Sequence, residues 1–161
     1  MGKKSAAKDE AMGDGEEGGH TEVSVIAQPL ADKKLSKKVH KLVKASAKAK
    51  RVKRGVKEVV KTIRKGGGAG GKRMLCVIAG DISPIDVITH LPVLCEENDV
   101  PYVYVASKTA LGAASTSKRP TSCVLVTGEG KVAQGKEEEK DLKEALKEAV
   151  AGVVAITPTW R

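Results

Sequence analysis

Met74-Leu75-Cys76-Val77-Ile78-Ala79-Gly80-Asp81-Ile82-Ser83-Pro84 changes character within a few residues. Its first six are apolar, β-branched at Val77 and Ile78, and too few for a helix, so they predict a buried strand. Gly80-Asp81 turns the chain. Ser83-Pro84 then reads as an N-cap followed by proline at the first helical position, with Asp86 completing a capping box. Ile85, Ile88, Leu91 and Cys95 continue at helical spacing, with a break or kink expected at Pro92. A wholly apolar strand that hands over to a helix belongs in a sheet covered on both faces.

Downstream, Pro101 precedes a strand, Tyr102–Val105, and Ser107 caps a short helix expected to stop at Gly112. Cys123–Thr127 is a third strand. Past a charged hairpin region, Gly128–Gly135, a helix from about Glu138 has Leu142, Ala145, Leu146, Ala149 and Val150 as its apolar face. It is expected to end at Gly152, with Val153–Ile156 extended. Upstream, Leu35, Val39, Leu42, Val43 and Ser46 mark one helix. Gly55 opens another, with Val56, Val59, Val60 and Ile63 inward and the Gly66–Gly71 cluster as its end. That cluster follows a helix and precedes a strand, the reverse of a phosphate-binding loop. The predicted architecture is α/β, a three-layer α/β/α sandwich with a mixed central sheet over residues 29–156. Residues 1–28 form a disordered N-terminal tail and residues 157–161 a short C-terminal tail.

The 161 residues carry a net charge of +9, concentrated between Lys33 and Arg73, where 17 Lys and Arg face one acid, Glu58. Such a block is expected to attract polyphosphate, releasing counterions on binding it; the alternative is a solvated, heavily charged helix surface. It lacks the aromatic anchors of a membrane-surface helix. Tyr102, Tyr104 and Trp160 are the only aromatic residues, too few for stacking platforms under unpaired bases. Cys76, Cys95 and Cys123 are odd in number and far apart, which suits buried thiols in a reducing compartment. No apolar run is long enough for a signal peptide or a bilayer span, so a soluble intracellular protein is expected. His20, His40 and His90 share no metal-ligand spacing, and neither a metal nor a cofactor is expected. A small nucleotide-directed α/β enzyme would show a phosphate loop or an acid/base pair, and neither is recognisable. Asp81, at a strand end, is better explained as a turn residue that accepts backbone N–H groups.

Two segments suit RNA. Around Lys53-Arg54-Gly55-Val56-Lys57-Glu58, a helix opens with free N–H groups, and Lys57, Lys61 and Arg64 follow at i, i+4 and i+7. Glu58 either complements the helix dipole or accepts hydrogen bonds from base amino groups. Leu111 to Pro120 is a small-residue loop that ends in two cations, Lys118-Arg119.

In order along the chain, Arg54-Gly55-Val56-Lys57-Glu58-Val59, Ala79-Gly80-Asp81, Ser83-Pro84-Ile85-Asp86, His90-Leu91-Pro92-Val93-Leu94-Cys95-Glu96, Val100-Pro101-Tyr102-Val103-Tyr104-Val105, Ser107-Lys108 and Leu111-Gly112 to Lys118-Arg119-Pro120 resemble the kink-turn RNA-binding superfamily of ribosomal and small nucleolar proteins. The resemblance covers roughly Leu30 to Thr127. Val56-Lys57-Glu58 and the Ser117-Lys118-Arg119-Pro120 run look most like the superfamily's H/ACA ribonucleoprotein members. The resemblance implies a non-catalytic RNA-binding subunit. Its partners would be an H/ACA guide RNA, a pseudouridine synthase subunit and two small core proteins, with telomerase RNA an open further partner. Its place would be the nucleus, nucleolus and Cajal bodies, and its work the pseudouridylation of ribosomal and spliceosomal RNA. A ribosomal or box C/D kink-turn protein is the alternative. The implied RNA-facing residues are Arg54, Gly55, Lys57, Glu58, Lys61, Lys65, Val87, Lys108, Ser117 and Arg119. The family motif carries Asn where Lys57 stands, and Gly and an apolar residue where Thr116 and Ser117 stand. Lys57 adds phosphate affinity but lacks an amide's paired donor and acceptor, which implies modest discrimination for kink-turns.

Overall fold

A computed structural model describes residues 23–66, 74–128 and 136–157. Residues 1–22 of the expected tail, nearly all of the glycine cluster and hairpin, and residues 158–161 lie outside the described residues. Helix α1 (Lys33–Lys48) leads to strand β1 (Val52–Arg54) and helix α2 (Val56–Gly66). Then come β2 (Met74–Ala79), a 3-10 turn (Ile85–Val87), α3 (His90–Glu97), β3 (Tyr102–Val105), α4 (Lys108–Ala114), β4 (Cys123–Thr127) and α5 (Lys136–Ile156). Among the described residues no helix is long and apolar enough to cross a membrane.

The strands form one mixed sheet in the order β1-β4-β2-β3. β4 runs antiparallel to β1 and β2, while β3 is parallel to β2. Alternation along β2 sorts its side chains. Leu75, Val77 and Ala79 enter a core with Val39, Leu42 and Val43 of α1 and Leu146, Ala149 and Val153 of α5. Cys76 and Ile78 enter a second core with Val59 and Ile63 of α2 and Leu91, Leu94 and Cys95 of α3. The result is the expected α/β/α sandwich, with α1, α4 and α5 on one face and α2 and α3 on the other.

Several boundaries differ from expectation. The tail expected over 1–28 stops short of residue 28: Ala27 and Pro29 are buried, the Ser24 N–H donates to the Gly80 carbonyl (2.7 Å), and Leu30 bridges Tyr104 at the β3 edge. The Ser24–Gly80 hydrogen bond and the burial of Ala27 hold this stretch against the end of β2 despite the polar composition. Ser83 is not an N-cap, because Pro84 is extended (ψ 154°) and no side chain caps the following turn. The break falls at Ile88-Thr89 rather than at Pro92, which occupies the first turn of α3, where its missing N–H costs little. α4 continues two residues beyond Gly112. Val153–Ile156 is helical rather than extended, with Val153 fully buried, and Ala145 faces solvent. Gly152 stays in the helix because α5 passes close to α1 there: a Cβ would stand 3.0 Å from Leu35 Cδ1. β1 was not expected as a strand.

Candidate nucleic-acid interface

Strand direction gathers the candidate residues at one end of the sheet. Arg54 pairs with Val124, the second residue of β4, and β2 and β3 both finish at that end, Ala79 opposite Val105. The Ala79 N–H donates to the Ser122 carbonyl (2.8 Å), tying the exit of β2 to the entry of β4. Gly55 turns the chain from β1 into α2 with φ +87°, a conformation glycine adopts without the steric cost of a Cβ. Its N–H donates to the Cys123 carbonyl (3.1 Å), and its carbonyl accepts the Val59 N–H (3.0 Å), starting the helix. The α2 N-terminus, with its free N–H groups and positive dipole end, therefore opens at the loop-bearing end of the sheet.

Arg54, Lys57, Glu58, Lys61 and Lys65 are all exposed. Val59 and Ile63 hold the opposite face of α2 in the core, which fixes the cations outward. Lys57 and Lys61 lie within the first two turns; Lys65 is a further turn away, about 12 Å along the axis from Lys57, so it reaches only an RNA that extends past the helix start. Val87 is exposed in the 3-10 turn that follows β2 at the same end.

Asp81 organises the next part of the surface. Its Oδ1 accepts the Lys108 backbone N–H (2.9 Å), while Ser107 Oγ caps α4 by accepting the Ala110 N–H (3.3 Å). The Lys108 carbonyl accepts from Thr121 (3.2 Å), so Lys108 is held between the β2 exit and the loop after α4. That loop is compact. The Ser117 N–H donates to the Gly112 carbonyl (2.9 Å), Thr116 takes φ 59°, and Ser117 Oγ accepts the Arg119 N–H (3.3 Å). Gly112 is needed because the Arg119 backbone lies directly over it, where a Cβ would collide with the Arg119 carbonyl. This placing role was missed in the sequence. Its only signal was a glycine on the inward side of a short helix, which reads equally as a helix stop. Among the described residues nothing at this end pairs a base with a nucleophile, and no group of His, Cys, Asp or Glu could hold a metal ion. What this end offers is chemistry for an anion with base edges: exposed cations, free N–H groups and the exposed Glu58 carboxylate.

The chain and its fold have relatives among known proteins. Residues 37–134 match the ribosomal protein L7Ae/L30e/S12e/Gadd45 family. The chain is 53% identical over 87 residues to "H/ACA ribonucleoprotein complex subunit NHP2" of Saccharomyces cerevisiae, covering 53% of this chain and 56% of that protein. It is 41% identical over 133 residues to "H/ACA ribonucleoprotein complex subunit 2" of Bos taurus, covering 83% of this chain and 77% of that one. The chain thus spans little more than half the length of the yeast relative it matches. Among solved structures, the "Giardia lamblia 15.5kD RNA binding protein" superposes with a TM-score of 0.69 at 33% identity, covering 81% of this chain and 97% of that one.

Proposed function

The chain belongs to the ribosomal protein L7Ae/L30e/S12e/Gadd45 family, and from that premise we propose that it is the RNA-binding subunit of an H/ACA ribonucleoprotein, non-catalytic itself, that positions guide RNA for pseudouridylation. The observation that carries the reading is the convergence at one end of the sheet of the α2 N-terminus, Lys57, Glu58 and Lys61 with Lys108 and the Ser117–Arg119 loop. Relatives named as H/ACA ribonucleoprotein subunits in yeast and cattle support the choice of particle over a ribosomal or box C/D one. The partners are then a guide RNA, a pseudouridine synthase subunit and two small core proteins, in the nucleolus and Cajal bodies. The subunit contributes by placement. Gripping one end of the guide RNA brings the substrate uridine to another subunit's active site, where correct orientation can dominate the rate.

Charge reversal at Lys57 and Lys61 tests this. Direct binding to a guide RNA should weaken more than tenfold, and the salt dependence should flatten by about one unit of slope for each lost phosphate contact. Modification by the reconstituted particle should fall in step with lost binding. An unchanged salt slope would remove α2 from the interface.

A further inference from the structure

Helix α1 is more uniformly cationic than the helix of the candidate interface, and it lies on the other side of the sheet. Its sixteen residues include seven lysines and no acid. At about 100° per residue, Lys33, Lys37, Lys41, Lys44 and Lys48 fall within an arc of about 80°, a stripe about 22 Å long. Leu35, Val39, Leu42, Val43 and Ser46 occupy the opposite side and face the core or α5. All five stripe lysines are exposed. Lys38, turned toward α5, pairs with Glu148.

A merely solvated helix face does not look like this. α5 shows the ordinary solution in the same chain, with acids and lysines interspersed along Lys136–Lys147. On α1 the like charges at i, i+4 repel, and Lys33 and Lys34 stand in the first turn, the wrong end for a cation beside the helix dipole. The stripe therefore costs the helix stability, a cost that an external polyanion would offset. The helix crosses the sheet from the Ala31 N–H bonded to Tyr104, near the loop-bearing end, to Arg51, whose carbonyl accepts from Thr127 at the far end. It packs beside α4, whose C-terminal loop carries Ser117 and Arg119. The stripe therefore begins toward the end of the sheet from which that loop projects.

We infer that α1 is a second RNA-contact surface, reading only backbone phosphates, along which a stem held at the loop-bearing end continues. This rests on the RNA partnership proposed above but uses none of its residues. With no aromatic or large apolar side chain on its exposed face, α1 suits phosphates better than a lipid surface.

The test uses the full chain, two RNAs and three variants. One RNA is a stem-loop that occupies only the loop-bearing end; the other has the same loop and a stem extended by a helical turn. The variant Lys37→Gln/Lys41→Gln/Lys44→Gln/Lys48→Gln keeps helix-forming side chains, and circular dichroism with a thermal melt confirms its fold. The unaltered protein should bind the extended RNA at least tenfold more tightly than the short one, with a steeper salt dependence. The glutamine variant should bind the short RNA normally, gain nothing from the extension, and lose about two to three units of salt slope on the long RNA. A matching Lys→Arg variant should retain the gain. Lys57→Gln/Lys61→Gln should weaken both RNAs, and its failure to do so would count against the interface on α2 rather than against α1. The inference is overturned if the α1 glutamine variant keeps the full gain, if it weakens the short RNA equally, or if the unaltered protein shows no gain.

Discussion

Asp81 is where a catalytic and a structural reading of one side chain can be separated. Its carboxylate accepts the Lys108 N–H at 2.9 Å and so joins the end of β2 to the start of α4. Asp81→Asn keeps an acceptor oxygen at that place and should leave stability within about 0.5 kcal/mol. Asp81→Ala leaves the N–H half-buried and unpaired and should cost about 1–2 kcal/mol. Urea unfolding separates the two, and RNA affinity should follow stability in both. If Asp81→Asn folded and bound RNA normally yet abolished modification by the particle, Asp81 would have to be a catalytic group. The turn role of Asp81 was legible in the sequence, from an acid placed just after a strand and a glycine. The acceptance of the Lys108 N–H was not, because the two residues meet only once β2 and β3 pair in parallel. Gly112 shows the same limit, since its reason to be glycine is the Arg119 backbone passing over it.

At the scale of elements, legibility followed how much of an element the core controls. β2, β3 and β4 were legible to the residue because each is apolar and turn-bounded, and α1 was legible as a helix, though not in its ends, because its inward positions Leu35 to Ser46 keep helical spacing. β1 escaped notice: it has three residues, two of them exposed cations, and is made a strand by pairing with β4 rather than by its own pattern. α5 was cut short at Gly152 because a glycine after an apolar run resembles a C-cap. The neighbouring helix is what retains it. The consequence is measurable. Val153 is fully buried among α1 and sheet side chains, so Val153→Ala should cost about 2 kcal/mol. Val154→Ala, one residue on and exposed, should cost less than about 0.5 kcal/mol. Equal small costs from denaturant midpoints would mean that the last turn of α5 is not docked.

The whole molecule joins three remote cysteines. Cys76 comes from β2, Cys95 from α3 and Cys123 from β4, and all three are buried free thiols in the core between the sheet and helices α2 and α3. A hydrogen bond with Cys95 and burial push the Cys76 thiol up, and burial pushes Cys123 up to about 12. At neutral pH neither carries an appreciable thiolate, the form that reacts. Attack by a thiol reagent therefore needs the sheet and α3 to part, which exposes all three positions together. Labelling should accordingly be slow in the folded protein. Its rate should rise with denaturant at the slope of global unfolding, and singly modified chains should not accumulate. Stability itself should fall as pH rises above about 8.5, where unfolded thiols begin to ionise while Cys76 and Cys123 stay protonated in the fold, Cys123 up to about 12. The sign follows from proton counting, since across that window the unfolded chain holds fewer protons. Fast labelling of Cys95 alone, independent of denaturant, would show that α3 opens by itself. The core beneath the candidate interface would then be a local unit and not part of one cooperative domain.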